Sequence, residues 1–379
     1  MRRKRSKPIR KSRSARGNEP YRARLAKLRR LIAQHGCEGL LITSANDIRY
    51  LSGFCGEDSY ALVMPRELFI ISDFRFQEEL EPVRRQAKVV IRKGPMGEAV
   101  DGLLFDVRPK RLGLQAEHAS IELRRRLERS YGAKRLRDTI GLLSGLRLIK
   151  DATEIAMIRH AAGIQEAAMR AVRGTIRPGQ SEGEICGRLE TEMRRRGAMG
   201  TSFETIVAAG PNSSRPHHRA GPAKVRRGGV LLIDWGARFE GYCSDMTRVF
   251  ALGRWPAKMA EVYKVVLEAH EAAAAAVRPG IACTDLDAVA RRIITKAGYG
   301  AQFGHGLGHG IGLNIHEDPR LSRQGRGELR PGMVTTIEPG VYLPGIGGVR
   351  IEDDILVTAR GGRRLCTLPR DLRWATLHG

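Results

Sequence analysis

The stretch RRGGVLLIDWG (226–236) aligns without a gap on RPGMVTTIEPG (330–340), and within the alignment Asp234 falls on Glu338. Each copy is an apolar run closed by an acid and a glycine, so each reads as a buried strand that delivers a carboxylate at its end. The likeness extends upstream. An Ala-rich helical stretch, Glu154–Arg173, leads to a stop at Arg177-Pro178-Gly179, and another helix is expected to end at Arg278-Pro279-Gly280, because a basic last turn followed by Pro-Gly is a stop signal. A second helix follows in each copy, Glu182–Arg196 and Asp285–Lys296, opened by a Ser/Thr–acidic start. Two copies are too few for a solenoid, whose core forms only by stacking several repeats. Two similar halves about a pseudo-two-fold axis are therefore expected, with any shared site at their junction.

Both copies continue as hairpins. VLLIDWGARFEGYCSDMTRVF (230–250) reads as two strands around a turn near Phe239–Glu240. Without a bulge, that register sets Asp234 directly opposite Asp245 on one face. TTIEPGVYLPGIGGVRIEDD (335–354) turns around Gly345, which sets Glu338 opposite Glu352. Four converging carboxylates repel one another in a low-dielectric setting and require cations. Two divalent ions would neutralise them, and oxygen-rich ligation with one imidazole suits Mn²⁺, Co²⁺, Fe²⁺ or Zn²⁺. Imidazoles are available in FGHGLGHGIGLNIHE (303–317), which carries His305, His309 and His316. Its alternating glycines argue against a helix and for backbone crowded against a site. Singly, an acid beside a turn is ordinarily a turn former, and His217 and His218 in SRPHHRAG are ordinary loop residues. The weight lies in the repeat, the hairpins and the His/Gly run occurring together.

The rest of the chain is organised around this half. Residues 20–146 alternate helix-like and strand-like stretches, with GLLIT, ALVM, ELFIIS, VVI and RLGL as short strands and a helical stretch from Ile121 to Tyr131. That pattern predicts an α/β domain over residues 18–147, followed by an α+β domain over residues 148–370. Residues 1–17 hold nine basic and no acidic residues, leaving +16 of the +25 net charge spread over the remainder. A block with so little apolar surface is expected to be a disordered tail, whose functional reading is loose contact with nucleic acid or an anionic surface. No apolar h-region follows it, which disfavours a secretory signal. No apolar run approaches the ~20 residues of a membrane-spanning helix. Six cysteines without a CxxC pair point to reduced thiols in a cytoplasm, and give no support to zinc-finger or thioredoxin-type chemistry.

IDWGARFEGYCSDMTR, HGLGHGIGLNIHE, TIEPG and GGVRIEDD together resemble the motif series of the methionine aminopeptidase/proline peptidase superfamily, over about residues 150–370. LLITSANDIRYLSGF and IISDFRF resemble the extra domain of its Xaa-Pro peptidase branch. The resemblance implies a creatinase-like α/β domain ahead of a pita-bread catalytic domain. It implies Asp234, Asp245, His309, Glu338 and Glu352 as metal ligands, Asp245 and Glu352 bridging two divalent ions, with Mn²⁺ first among the candidates. It also implies that His217 contacts the substrate, that His316 stabilises the transition state or shuttles a proton, and that His305 lines the site. Asn314, where relatives often carry an acid, is one departure; His218 and Trp235 are others.

The implied activity is hydrolysis of the bond between an N-terminal residue and a following proline, by an Xaa-Pro aminopeptidase or, as the alternative, an Xaa-Pro dipeptidase. Glu338 would be both a ligand and the proton acceptor. Proline-containing peptides would be the substrates, and a homodimer or homotetramer the assembly. The rival is a nucleic-acid-associated binding protein on the same scaffold, favoured by the basic tail and disfavoured by an intact ligand set.

Overall fold

Five of the short apolar runs and one run with a charged middle form a six-stranded sheet in the first of two units, which divide between Leu146 and Arg147. The computed structural model describes residues 19–378, so the basic tail of residues 1–17 lies outside the described residues. The strands are β1 (Gly39–Ile42), β2 (Tyr60–Val63), β3 (Leu68–Ser72), β4 (Lys88–Ile91), β5 (Leu112–Gln115) and β6 (Leu136–Thr139), in the order β4-β3-β2-β1-β5-β6. β2 runs antiparallel to β1 and β3, and the other pairs are parallel. Between them lie α1 (Glu19–Gln34), α2 (Ala45–Ser52), α3 (Gln77–Leu80), α4 (Met96–Val107), α5 (Ile121–Leu127) and α6 (Leu142–Arg147). The expected helical stretch from Ile121 to Tyr131 is α5 followed by a wider π-type turn, Glu128–Gly132. β6 was not among the expected strands: it is an edge strand, and only its end residues Leu136 and Thr139 are buried.

The second unit carries the repeat. Its first half contains α7 (Ala152–Arg173), α8 (Glu182–Arg195), β7 (Gly200–Thr201), β8 (Ile206–Ala209), β9 (Val230–Trp235), β10 (Ala237–Phe239), β11 (Tyr242–Cys243) and β12 (Met246–Leu252). The second half contains α9 (Ala257–Ala276), α10 (Cys283–Lys296), β13 (Gly308–Gly310), β14 (Glu317–Leu321), β15 (Val334–Ile337), β16 (Gly340–Leu343), β17 (Gly347–Arg350), β18 (Asp353–Thr358) and β19 (Gly361–Arg364). A last strand, β20 (Thr376–Leu377), returns to pair with β12. The main sheets run β20-β12-β9-β8 and β14-β13-β15-β18-β19.

Matching backbone bonds show the two halves to be copies. Gly179 N–H donates to Val225 and Gly280 N–H to Leu329; Glu182 N–H donates to Ala223 and Cys283 N–H to Gly327. The bridges Ser181–Lys224 and Ala282–Glu328 sit between these bonds in each half. α7 ends at Arg173, the expected end of the Ala-rich stretch, and α9 at Ala276, both short of the Pro-Gly pairs. A residue before proline is pushed out of helical geometry. Gly179 and Gly280, at φ +90° and +79°, then use the left-handed region to turn the chain into the matched bridges.

β9 divides two cores by simple alternation. Leu231, Ile233 and Trp235 pack with α7 through Ile164, Ala168 and Val172, and with α8 through Ile185, Leu189 and Met193. Val230 and Leu232 face the other way, toward Val262 and Val266 of α9, Leu286 and Ala290 of α10, and Ile337 and Ile355 of the second sheet. Asp234 continues this second face.

One hairpin register is as expected and one is corrected. Ile337 pairs with Asp353 and Gly340 with Arg350, which brackets Glu338 and Glu352 at opposed positions. In the first hairpin, however, Asp234 pairs with Thr247, so Asp245 lies diagonally and not directly opposite. The turn is Glu240–Gly241, one residue later at its glycine than expected, with both residues at positive φ, +46° and +81°. A two-residue turn of that kind matches the twist of the strands it joins. The register moves by two residues, and because strand side chains alternate with a period of two, both acids remain on one face.

Candidate metal centre

Asp234, Asp245, His309, Glu338 and Glu352 line one cavity of about 860 Å³, together with His217, His305 and His316. β9 and the start of β12 bring the two aspartates, β13 brings His309, and the ends of the β15–β18 pair bring the two glutamates. Atoms of Asp245, His309 and Glu352 lie within 4.8 Å of one another, a spacing that can hold a metal ion.

Asp234 and Glu352 are each held by one oxygen and bare on the other. Arg350 donates to Oδ2 of Asp234 at 2.5 Å, leaving Oδ1 buried without a donor. Thr247 donates to Oε2 of Glu352 at 2.7 Å, leaving Oε1 bare. Asp245 has a bare Oδ1 as well. Nδ1 of His309 lies 3.0 Å from the Gly310 carbonyl, which accepts its proton and leaves the Nε2 lone pair outward. That lone pair faces Oε1 of Glu338 at 3.4 Å and Oδ2 of Asp245 at 3.6 Å. Burial pushes the His309 pKa down to about 4, so the ring is neutral near pH 7. Bare carboxylate oxygens and an imidazole lone pair share one cavity, a donor set that can hold a divalent cation.

The electrostatics follow. Burial, then the charges of Glu352 and Asp234, drive the Asp245 carboxyl well above the usual carboxylate range. Burial, with Glu338 and Asp234, does the same to Glu352. Burial lifts Glu338 to about 7 against the opposing pull of Arg350. Asp354 is a fifth acid beneath the cluster: it accepts from the Asp245 amide at 3.0 Å, and burial raises it to about 8. The sequence reading did not single it out, although it ends GGVRIEDD.

Arg350 and Tyr342 were also missed. Arg350 donates to Asp234, to the Thr247 hydroxyl at 2.9 Å and to the Tyr342 hydroxyl at 2.7 Å. Tyr342 lies 2.9 Å from Nε2 of His305, whose Nδ1 lies 2.8 Å from the Gly306 carbonyl. The consistent proton order runs from Arg350 through Tyr342 to a neutral His305, whose pKa burial lowers to about 4. The available signal was alternation, since Arg350 lies two residues from Glu352 on a strand-like run.

The remaining candidates separate. His316 packs edge-on to His309 with ring centroids 4.5 Å apart, and burial lowers its pKa. The neighbouring Glu317 accepts from Arg147, from Lys150 at 3.1 Å and from the Asn314 amide at 3.0 Å. Trp235 is a core residue: its indole donates to the Gln165 carbonyl at 3.1 Å, and the Gln165 side chain donates to the Asp245 carbonyl at 3.3 Å. His217 is exposed to the cavity, whereas His218 turns back onto Glu182 at 2.8 Å.

Known proteins resemble this chain along nearly its whole length. Residues 156–359 match the metallopeptidase family M24, and residues 24–149 match the creatinase/prolidase N-terminal domain. The chain is 34% identical to an Xaa-Pro dipeptidase of Pyrococcus horikoshii over 92% of its own length and 98% of that protein's. Among solved structures, an Xaa-Pro dipeptidase from Bacillus anthracis superposes with a TM-score of 0.90 at 36% identity, covering 94% of this chain and 100% of that one. An X-Pro aminopeptidase from Thermotoga maritima superposes with a TM-score of 0.85 at 36% identity, covering 93% and 100%. With an α/β creatinase-type unit followed by a pita-bread unit built of two similar halves, the chain belongs to metallopeptidase family M24.

Proposed function

We propose that this metallopeptidase hydrolyses the bond between an N-terminal residue and proline in short peptides, with Xaa-Pro dipeptides preferred, through a dinuclear centre held by Asp234, Asp245, His309, Glu338 and Glu352. The observation that carries the reading is the set of bare, buried oxygens on Asp234, Asp245 and Glu352 beside the outward lone pair of His309. Two divalent ions, Mn²⁺ first among Mn²⁺, Co²⁺, Zn²⁺ and Fe²⁺, would polarise the scissile carbonyl and lower the pKa of the attacking water when bound. Glu338 takes a proton from that water and passes it to the prolyl nitrogen as the C–N bond breaks. His217 and His316 donate hydrogen bonds to the oxygen of the carbonyl as it gains charge. Arg350 holds Asp234 through one oxygen only, so that the other stays directed at the centre.

Preference for dipeptides has two supports. Two of the three similar proteins described above bear the name Xaa-Pro dipeptidase, and one is named an aminopeptidase. Arg320 lines the same cavity as the histidines, where a guanidinium can take the free carboxylate of a dipeptide. The test is a substrate-length panel in metal-depleted protein refilled with Mn²⁺. An Xaa-Pro dipeptide should be turned over with higher kcat/KM than the matching Xaa-Pro-Yaa tripeptide. Arg320→Ala should raise the dipeptide KM about tenfold, the equivalent of one charge-assisted contact of ~1.4 kcal/mol, with a smaller effect on the tripeptide. A tripeptide preference would restore the aminopeptidase reading. Hydrolysis of neither would overturn both.

A further inference from the structure

Glu182, the first residue of α8, has no solvent exposure, yet it makes no contact with the carboxylate cluster's own network of Arg350, Thr247 and Asp354. Its two oxygens are filled by four donors, all from one short segment. Oε1 accepts from the Ala209 amide at 2.8 Å and from Nδ2 of Asn212 at 2.8 Å. Oε2 accepts from Nε2 of His218 at 2.8 Å and from the Gly221 amide at 3.0 Å. A carboxylate offers about four acceptor positions, and here the loop occupies that full set. Ala209 and Gly221 are the two ends of the loop, so a single side chain closes it. His217 is carried inside that closure and is exposed to the cavity.

The other side of the loop is fastened to the second half of the repeat. Ser213 Oγ accepts from the Gly348 amide at 2.8 Å on β17. A Cβ on Gly348 would lie 2.1 Å from the Ser213 carbonyl oxygen, so only glycine permits the approach. β17 leads directly to Arg350 and, two residues on, Glu352. The loop thus spans from the start of α8 to the hairpin that carries two members of the centre's network.

The repeat supplies an internal control. Glu182 N–H donates to Ala223 in the first half, and the matching bond in the second half is made by Cys283 N–H to Gly327. Cys283 is therefore the structural counterpart of Glu182, and the helix start and bridge form there without a carboxylate. The acid is not required by the fold at this position. All four of its donors come instead from the loop that bears His217.

We propose that Glu182 is a positioning residue whose carboxylate, with Asn212 and His218 as its side-chain donors, holds His217 over the metal-binding carboxylates. The proposal rests on the reading of His217 as a substrate contact. It also gives a role to His218, the second histidine of the pair: one ring faces the cavity while the other secures the loop. Burial pushes the Glu182 carboxyl up, and the hydrogen bonds from Ala209, Asn212, His218 and Gly221 outweigh it, so the group stays ionised below the usual range.

Glu182→Gln keeps the shape but turns an amide against two of the four donors. Two measurements test it. The first is hydrogen exchange of the metal-free protein, in which residues 209–221 should exchange about tenfold faster or more in Glu182→Gln, with α8 and the sheets unchanged. The second is a kinetic cycle of wild type, Glu182→Gln, His217→Ala and the double variant. Glu182→Gln should lower kcat/KM about tenfold or more, because small displacements of a positioned group are costly in rate. It should split between kcat and KM as His217→Ala does. In the His217→Ala background it should change kcat/KM by less than about twofold, the sign of residues acting through one another. Equal losses in both backgrounds, or unchanged exchange in the loop, would overturn the assignment. Asn212→Ala removes one donor and leaves the carboxylate, so its intermediate effect on both readouts decides the matter if Glu182→Gln folds poorly. If wild type cleaved no Xaa-Pro peptide, the functional reading would fail, and the exchange arm would still decide the clamp.

Discussion

At the scale of single residues, the site is organised by which oxygen of each acid is occupied. Arg350 and Thr247 each hold one oxygen of an acid and leave its partner bare, and Asp245 lies between them with a bare oxygen of its own. Such a cluster opposes folding until a cation arrives, which is a common trade of stability for function. Asp245→Asn is therefore expected to abolish peptide hydrolysis while raising the Tm of the metal-free protein by about 2–4 °C, the shift that ~1 kcal/mol produces in a domain of this size. Melting in chelator and turnover in Mn²⁺ measure the two halves of that statement. Retained turnover would sink the dinuclear reading; a lowered metal-free Tm would show that the acids are not in conflict. The four acids were legible in the sequence because hairpin spacing pairs them within two short segments, while His309 was singled out from its neighbouring histidines by the family resemblance. Asp354 and Tyr342 were not, since nothing in their immediate neighbours distinguishes a buried acid or phenol from a surface one.

At the scale of elements, the seam between the two main sheets depends on a buried ion pair. Arg248 of β12 donates to Oδ1 of Asp353 on β18 at 2.6 Å, to the Glu352 carbonyl at 2.6 Å and to the Leu368 carbonyl at 3.1 Å. Both side chains are essentially without solvent. Arg370 also reaches Asp353 at 2.9 Å, and Cys366 donates to it. Arg248→Met should destabilise by about 3–5 kcal/mol, because it strips one partner from a buried charge and leaves several carbonyls unpaired. Urea titration should show this as a lower midpoint at unchanged m-value. A loss under about 1 kcal/mol would mean that Arg370, with Arg364 at 3.4 Å, carries Asp353 unaided. Hairpins behaved unevenly in prediction for a related reason. The second register could be read from Gly345, whose φ is +74°. The first turns on Glu240, a non-glycine residue in the left-handed region, and sequence offered no mark of that beyond the following glycine.

At the scale of the whole molecule, buried acids with raised pKa values set the pH response of the metal-free protein. Glu338 and Asp354 have folded pKa values raised to about 7 and about 8. A carboxyl with a raised folded pKa stabilises fully below its unfolded value and loses that contribution as pH rises through the folded one. The Tm of metal-free protein should therefore fall between about pH 4 and 8, from the ordinary carboxylate range up to the folded values of the two groups. Mn²⁺ should flatten the fall, since a bound ion stabilises the charged acids. A metal-free Tm that rises across the interval would contradict the buried, unneutralised cluster. The same contrast explains why a net charge of +25 said nothing of the site: the functional charges are a few buried acids of the other sign. Among the described residues, no helix is long and apolar enough to cross a membrane. The sequence alone determined the two-unit plan, the repeat and the residues that meet at the cavity, because periodicity, turn chemistry and motif spacing act over short stretches of chain. Tertiary structure alone decided which atoms of those residues stay bare. Arg350 and Asp234 lie 116 positions apart, and Thr247 and Glu352 lie 105 apart. Only the closing of one half upon the other brings a donor to one oxygen of Asp234 and of Glu352 and leaves the second oxygen of each buried and bare.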